Sequence, residues 1–537
     1  MAIRNGHLPS LPTDVNRPAK IWKNLTANDT AWVVLLGVVW LALLTIISAL
    51  TAGQYGFHRD ELNFIDNARH LAWGYVEYPP LAPSIGWVIL GMFGPSLVAL
   101  RFAASLAVCA GMVLTGWMVH ELGGSRLAQG LAALLAGTAP VVLFTTRFFS
   151  YQTFDYLWWV LVSYLMIRLL KSENPRWWLA IGAVIGLGML TKYSIPFLAA
   201  GIGLGMLLTP VRRDFKSPWF WAGVGLGFVI WLPNLLWQVQ HDFISLQFQA
   251  STHSRDVAIG RSADFLIAQL YNATNPASIP LWFGGLSFSL LKPDGKRYRM
   301  LAWMYLTALG LFVLAQGRFY YLAGAYPMLI AAGASQMIRP PVDTAGQPIP
   351  LYRRAFWQNQ PSSGRWFYGS LIVTCLLIFA LVIPLTPLNS AWWRLDAAIN
   401  PELREEIGWP ELVGEVERIY AALPESERAT TAVLAVNYGE AAAVDLYGPD
   451  LGLPNAISPV DTYWLRGYGD PPPQHLIVLG ANQTDVGRFL DGCTLAGHTP
   501  NPYNILNEET RDHPDIFLCT GPREPWPEFW RAIQDFG

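Results

Sequence analysis

Charge is what this sequence has least of: Asp, Glu, Lys and Arg make up 14% of its 537 residues, against roughly 25% in soluble domains. The shortage of cationic excess, a formal net charge of -2, argues against a nucleic-acid partner, because neutralising phosphates needs a basic face. Four cysteines are too few for a disulfide scaffold. Cys109 and Cys375 fall in apolar runs and read as inert core thiols, whereas Cys493 and Cys519 lie in a polar tail and are able to pair in an oxidising compartment. Gly448, Gly452, Gly467 and Gly469 lack the strand-to-helix spacing that cradles a pyrophosphate. No Gly-x-Ser-x-Gly elbow points to a serine hydrolase. No His-x-x-x-His, cysteine cluster or close aspartate pair makes a strong metal site. No repeat of tens of residues is visible.

What the chain has instead is apolar length. Hydrophobic residues make up 53%, with Trp 24, Tyr 21 and Phe 26, as suits a protein with many membrane interfaces. Apolar segments run over 32–50, 97–119, 127–144, 154–170, 177–190, 195–208, 219–237, 279–290, 301–315, 320–337 and 369–385. That gives about eleven spans, several short of the roughly 20 residues of a full crossing. Residues 88–93, between Pro79, Pro80, Pro83 and Gly94-Pro95, read as part of an in-plane segment. The first span lacks a small-residue cleavage site and reads as retained.

Alternate loops separate by charge. One set carries Arg4, Arg17, Lys20 and Lys23; Arg126; Arg168, Lys171 and Arg176; Arg212, Arg213 and Lys216; Lys292, Lys296, Arg297 and Arg299; and Arg339, Arg353, Arg354 and Arg365. The positive-inside rule makes this set cytoplasmic. The expected organisation is a cytoplasmic segment 1–31, a membrane domain 32–388 with its first outer loop at 54–96, and an exported domain 389–537. Within the tail, 401–423 has helical periodicity, 432–436 and 476–479 read as short buried strands, and 439–446 reads as a helix. That alternation implies a small α/β domain.

The costly polar residues gather at the outer end. Asp60, Glu61, Glu77 and Tyr78 lie in the first outer loop, and Asp155 starts a span. Lys192 sits in the break 190–194, His241 begins a long outer segment that also holds Arg255 and Arg261, and Arg318 precedes Tyr320 and Tyr321. Ionisable groups at membrane depth are functional candidates by default. Both signs converging at one leaflet suit a site for an anionic group. A carboxylate there deprotonates a hydroxyl while Lys and Arg stabilise a departing phosphate, and Glu61 or Glu77 is a candidate ligand for a divalent ion beside that phosphate. The competing readings are a helix cap for Asp60, a snorkelling Lys192 and an interfacial belt for Tyr320 and Tyr321. At the level of function the alternatives are a transporter or flippase of lipid-linked sugars and a scaffold acting through its tail.

Several motifs in order resemble one family. They are Arg59-Asp60-Glu61, Ala68-Arg69-His70-Leu71, and Gly74-Tyr75-Val76-Glu77-Tyr78-Pro79-Pro80-Leu81. Asp155, Gly188-Met189-Leu190-Thr191-Lys192-Tyr193, Tyr320-Tyr321-Leu322 and Ala325-Tyr326-Pro327 follow. The chain resembles the bacterial glycosyltransferase family 39 proteins of the GT-C class, relatives of protein O-mannosyltransferases and lipid A aminoarabinose transferases. Asn437-Tyr438-Gly439-Glu440-Ala441 and Asp445-Leu446-Tyr447-Gly448 resemble the exported domain of one bacterial branch. The resemblance implies a multi-pass plasma-membrane enzyme of GT-C type with a polyprenyl-phosphate sugar donor. It implies an outer-face acceptor hydroxyl on a glycan, lipid or protein, and inversion with Asp60 as general base and Glu61 beside it. Asp155 would shape the site, and Lys192 and Arg318 would face the donor phosphate. One departure stands out: aminoarabinose transferases read Glu-Lys-Pro-Pro in the first loop, where the lysine meets phosphate. Tyr78 stands at that position here, which leaves Lys192, Arg255, Arg261 or Arg318 for the phosphate.

Overall fold

The computed structural model describes residues 30–338 and 362–537. The basic N-terminal segment with Arg4, Arg17, Lys20 and Lys23, and the loop cations Arg339, Arg353 and Arg354, lie outside the described residues. Helix α1 (Ala31–Thr51) leads into a loop that carries α2 (Arg59–Arg69) and α3 (Leu81–Phe93). Then come α4 (Leu97–Glu121), α5 (Arg126–Gly137), α6 (Tyr151–Ser172), α7 (Trp177–Met189) and α8 (Ile195–Leu208). The series continues with α9 (Pro218–Gln240), α10 (Ile244–Ala258), α11 (Ile279–Leu291), α12 (Arg299–Leu314), α13 (Tyr326–Met337) and α14 (Ser362–Val382).

Among the described residues five helices are long and apolar enough to cross a membrane: α1, α4, α6, α9 and Gly364–Val382 within α14. The bent pair formed by α8 and Pro210–Lys216 makes a sixth candidate, and α3 and α7 are shorter apolar helices. Two of the apolar segments read from the sequence are interrupted. Residues 127–144 divide into α5 and a separate helix that starts at Pro140, and 320–337 divide into a 3-10 turn, Phe319–Ala325, and α13, with Pro327 in its first turn. Proline lacks the N–H that a helix interior needs but suits a first turn. Residues 88–93 complete α3, a regular helix closed by Gly94 at φ 65.

The apolar exterior fits lipid. On α9, Trp221, Val224, Phe228 and Val229 point outward, as do Val38, Val39, Ile46 and Leu50 on α1. In lipid, helices associate through close packing rather than hydrophobic burial. Accordingly α7 and α9 meet glycine to glycine: a Cβ on Gly182 would lie 2.0 Å from the Gly223 carbonyl oxygen, and one on Gly186 would lie 2.7 Å from that of Gly227. At one end of the bundle, Glu173 bonds both Arg213, at 3.0 Å, and Arg297, at 2.9 Å. Three basic loops, distant in sequence, therefore share that end.

Beyond residue 389 the chain forms a mixed sheet. Its strands are β1 (Thr431–Ala435), β2 (Ala456–Ile457), β3 (His475–Leu479), β4 (Leu490–Asp491), β5 (Thr494–His498), β6 (Asp515–Cys519) and β7 (Gly521–Pro522). The main sheet has the order β2-β1-β3-β6-β5, while β4 pairs with β7. β1 runs parallel to β2 and β3, with Val433 opposite Ile477, and β6 runs antiparallel to β3 and β5. The near-continuous apolar runs of β1 and β3 suit strands covered on both faces. Helices α15 (Trp409–Ala422) and α16 (Tyr438–Tyr447) pack here, and Cys493 and Cys519 form a disulfide. The helical pattern read over 401–423 is broken at Gly408, whose φ of 101 suits glycine and ends the 3-10 turn Pro401–Glu406 before α15 begins.

This C-terminal unit does not stand apart. Leu62, Phe64 and Ile65 of α2 share one apolar cluster with Leu412 and Val416 of α15 and Ala441 and Val444 of α16. The first loop is therefore clamped between the helical bundle and the sheet.

Candidate active site

The first loop enters α2 through a capping box. His58 Nδ1 accepts from the Asp60 amide at 3.1 Å, and Glu61 Oε2 accepts from the His58 amide at 2.9 Å. Both carboxylates thus sit at the positive end of the helix dipole, but they point to different surroundings. Glu61 is fully buried and accepts from Arg101 Nη2 at 2.9 Å and from the Phe149 amide at 2.8 Å. Arg101 also reaches Glu406 of the C-terminal unit at 3.2 Å, and Arg147 bonds the same carboxylate at 2.6 Å. Asp60 is only half buried, and its Oδ1 accepts from the Tyr438 hydroxyl at 2.8 Å.

A second group lies at the N-terminal ends of α6, α8 and α13. Lys192, in the turn between α7 and α8, faces three tyrosine rings: Tyr321 at 4.0 Å, and Tyr151 and Tyr320 each at 4.9 Å. Ring faces attract ammonium ions, so the cage holds the side chain in one place. Asp155 accepts from the Ser194 hydroxyl at 2.7 Å. Arg318 bonds Asp256 Oδ1 at 3.1 Å and the Tyr320 hydroxyl at 3.1 Å, and Arg261 reaches Asp256 at 3.3 Å. Gln152, Asp155, Tyr156, Lys192, Tyr320 and Tyr321 line a small open cleft. Tyr151 joins the two groups: its ring packs against Phe64 and Tyr78 of the first loop and lies 4.9 Å from the Lys192 ammonium.

The structure thus brings Asp60, Asp155, Lys192, Arg318, Tyr320 and Tyr321 around one region, with Arg261 at its margin through Asp256. The remaining candidates have other surroundings. Glu77 accepts from Asn63 Nδ2 at 3.0 Å and from the Thr462 hydroxyl. Tyr78 stacks on Phe64 at 4.5 Å and accepts from Asn67 Nδ2 at 2.7 Å. Both knit the first loop together, and Glu77 also ties it to Thr462 of the C-terminal unit. Arg255 is exposed and lies within electrostatic reach of Asp461. His241 stacks on Trp237 at 4.0 Å, one turn back on α9. The Glu61 oxygens accept from the His58 and Phe149 amides, and those of Glu77 from Asn63 and Thr462. No group of three or more His, Cys, Asp or Glu among the described residues is arranged to hold a metal.

Electrostatics fixes the entrance to the loop. The His58 imidazole, bonded to Glu402 Oε2 at 3.2 Å, holds that carboxyl down to about 2, although Glu402 is half exposed and water screens the pair. Burial disfavours charge on His58, but the bond to Glu402 and the charge of Asp60 outweigh it and raise the imidazole.

Tyr151, Asp256 and Tyr438 are the members that sequence reading missed. Tyr151 precedes Asp155 by one helical turn, and Asp256 lies beside Arg255, so the sequence spacing carries a signal for both. Tyr438 is hundreds of residues from Asp60, and no local pattern links them.

Residues 77–237 match the family model described as dolichyl-phosphate-mannose-protein mannosyltransferase. The chain is 24% identical over 269 residues to the lipid A galacturonosyltransferase RgtD of Rhizobium johnstonii, covering 47% of this chain and 54% of that one. It is 25% identical over 328 residues to the lipopolysaccharide core galacturonosyltransferase RgtB of the same organism, covering 57% and 61%. The aligned region thus spans little more than half the length of these curated relatives. Among solved structures, apo ArnT from Cupriavidus metallidurans superposes with a TM-score of 0.55 at 14% identity, covering 91% of this chain and 98% of that one. The same protein bound to undecaprenyl phosphate gives 0.54 at 13%, covering 90% and 97%. The common feature is the GT-C membrane fold.

Proposed function

We propose that this chain, which has the GT-C fold and is similar in sequence to GT-C glycosyltransferases, is itself a membrane glycosyltransferase that moves a sugar from a polyprenyl-phosphate donor to an acceptor hydroxyl. The observation that carries the reading is the pairing of a half-exposed carboxylate, Asp60, with a cleft that holds a caged cation, Lys192. Tyr151 lies between them, packed against Phe64 and Tyr78 of the first loop on one side and Lys192 on the other.

In the proposed reaction the donor phosphate lies against Lys192, with Arg318 beside it. The acceptor oxygen attacks the anomeric carbon from the face opposite the phosphate, and its proton passes to Asp60. The bond from the anomeric carbon to the phosphate oxygen breaks, and the lipid phosphate leaves with the electron pair. Cations fixed in place before the reaction stabilise that developing charge without reorganising. Inversion follows from a single displacement. Asp155, bonded to Ser194, holds the turn that carries Lys192, and Tyr320 and Tyr321 wall the donor side.

The site would face the outer side of the plasma membrane, with about eleven spans and the N-terminus inside. Two features support that orientation. Glu173 ties the basic loops at one end of the bundle, and the Cys493–Cys519 disulfide in the C-terminal unit suits an oxidising compartment. The relatives named for galacturonic acid put an acidic sugar first among donors, and lipid A and core oligosaccharide first among acceptors.

The test is transfer of labelled sugar by the purified full-length protein from a panel of undecaprenyl-phosphate sugars that includes galacturonic acid and mannose. Wild type should transfer one of them, and Asp60→Asn should lower kcat by about 10²- to 10⁴-fold with donor binding intact. Transfer that survives in Asp60→Asn would move the base elsewhere. Failure of every donor, with bound lipid-linked sugar still detected by mass spectrometry, would favour a transport role.

A further inference from the structure

Three consecutive residues of the C-terminal unit are fitted to the first loop and the sheet. Asn437 caps α16 by accepting from the Gly439 amide at 2.7 Å, which sets the direction of the first turn. Tyr438 then projects to Asp60, and its hydroxyl donates to Oδ1 at 2.8 Å. The Arg59 guanidinium lies 5.7 Å from the Tyr438 ring centroid and pairs with Glu508. Gly439 leaves room for this approach, since a Cβ there would come within 2.4 Å of Arg59 Cγ. Asp60 Oδ2 has no hydrogen-bond partner among the described residues.

We propose that Tyr438 is a positioning residue for Asp60, so that the C-terminal unit completes the reaction centre of the membrane domain. This inference rests on the reading of Asp60 as the base. By occupying Oδ1, the hydroxyl fixes the rotamer of the carboxylate and leaves Oδ2 as the oxygen that takes the acceptor proton. Simple docking is a poor account of this bond, because many other contacts dock the unit. Arg466 pairs with Asp66, Glu406 accepts from Arg101 and Arg147, and Arg69 donates to the Asp445 carbonyl at 2.8 Å. Loss of one hydroxyl leaves all of these in place.

Tyr438→Phe in the full-length protein is the test, assayed with whichever undecaprenyl-phosphate sugar the wild type transfers. Phenylalanine keeps the ring beside Arg59. The expected result is a kcat about 10-fold lower, with the donor KM within about twofold and the melting temperature unchanged. Arg69→Gln, which removes a docking bond at the far end of α2, should leave kcat where it is. A Tyr438→Phe enzyme with wild-type kcat overturns the inference. So does one whose activity falls together with its melting temperature, since that is a structural role. If Asp60→Asn is inactive and Tyr438→Phe is unchanged, this inference alone falls. If Asp60→Asn still transfers, or no donor is used by the wild type, the reading beneath it falls as well.

Discussion

Asp60 and Glu61 are adjacent in sequence, yet their surroundings give them separate work. Glu61 accepts from the His58 and Phe149 amides and twice from Arg101, which saturates its lone pairs inside a dry network. Removing one partner of a buried ion pair leaves the other unpaired and costs about 3 kcal/mol or more. Glu61→Gln should therefore lower the melting temperature and the yield of folded protein, while the fraction that folds keeps the wild-type pH profile. Asp60→Asn should do the reverse, with an unchanged melt and lost turnover. A Glu61→Gln protein as stable as wild type, measured by thermal unfolding in detergent, would refute this division. The sequence revealed that charge was concentrated at this loop, because charge is conspicuous against an apolar chain. It did not reveal which carboxylate turned inward. That depends on Arg101, Phe149 and Glu406, which reach Glu61 only through the tertiary fold.

At the scale of elements, periodicity found the apolar helices and the strands over 432–436 and 476–479, which overlap β1 and β3. It failed where a single residue's backbone preference decides. Pro140 and Pro327 divide apolar runs whose composition is continuous, and Gly408 divides a run whose helical spacing is continuous. Hydrophobic pattern reports burial, whereas these breaks report an absent N–H or a positive φ. Packing between helices is also legible once the glycines are read in register. Gly182 and Gly186 are four apart on α7, as Gly223 and Gly227 are on α9, the small-residue spacing that lets two helices touch backbones. Gly182→Val should then prevent normal assembly, because its Cβ has only 2.0 Å to the Gly223 oxygen. Gly203→Ala on α8 meets nothing within 4 Å and should be tolerated. Monodispersity and melting of the two purified variants check the contrast. Equal behaviour would mean that α7 and α9 do not pack this closely in the membrane.

For the molecule as a whole, the junction between first loop and C-terminal unit sets a pH dependence. Around Arg59 lie Glu405, Glu440, Glu508 and Glu509, four carboxyls near one cation. Glu440 is 1% exposed and Glu509 2%, and Glu509 has no hydrogen-bond partner for either oxygen. Burial pushes both carboxyls up, and the nearby Glu508, together with Glu509 for Glu440 and Glu405 for Glu509, adds to the shift against the pull of Arg59. A carboxyl raised in the folded state binds more protons there than in the unfolded chain. Stability from this source is present below the ordinary carboxylate range and is lost as pH rises from that range through the raised value. The full-length protein should therefore melt higher at about pH 5 than at about pH 8, and Glu509→Gln, which is neutral at every pH, should flatten that difference by raising the value at the alkaline end. The same substitution at an exposed carboxylate such as Glu425 should not. Parallel curves for wild type and Glu509→Gln across the range would show that Glu509 is ionised where it sits, with Arg59 rather than a proton neutralising it. Because Arg59 also lies beside the Tyr438 ring next to Asp60, such a result would tie the charge balance of the C-terminal unit directly to the proposed base.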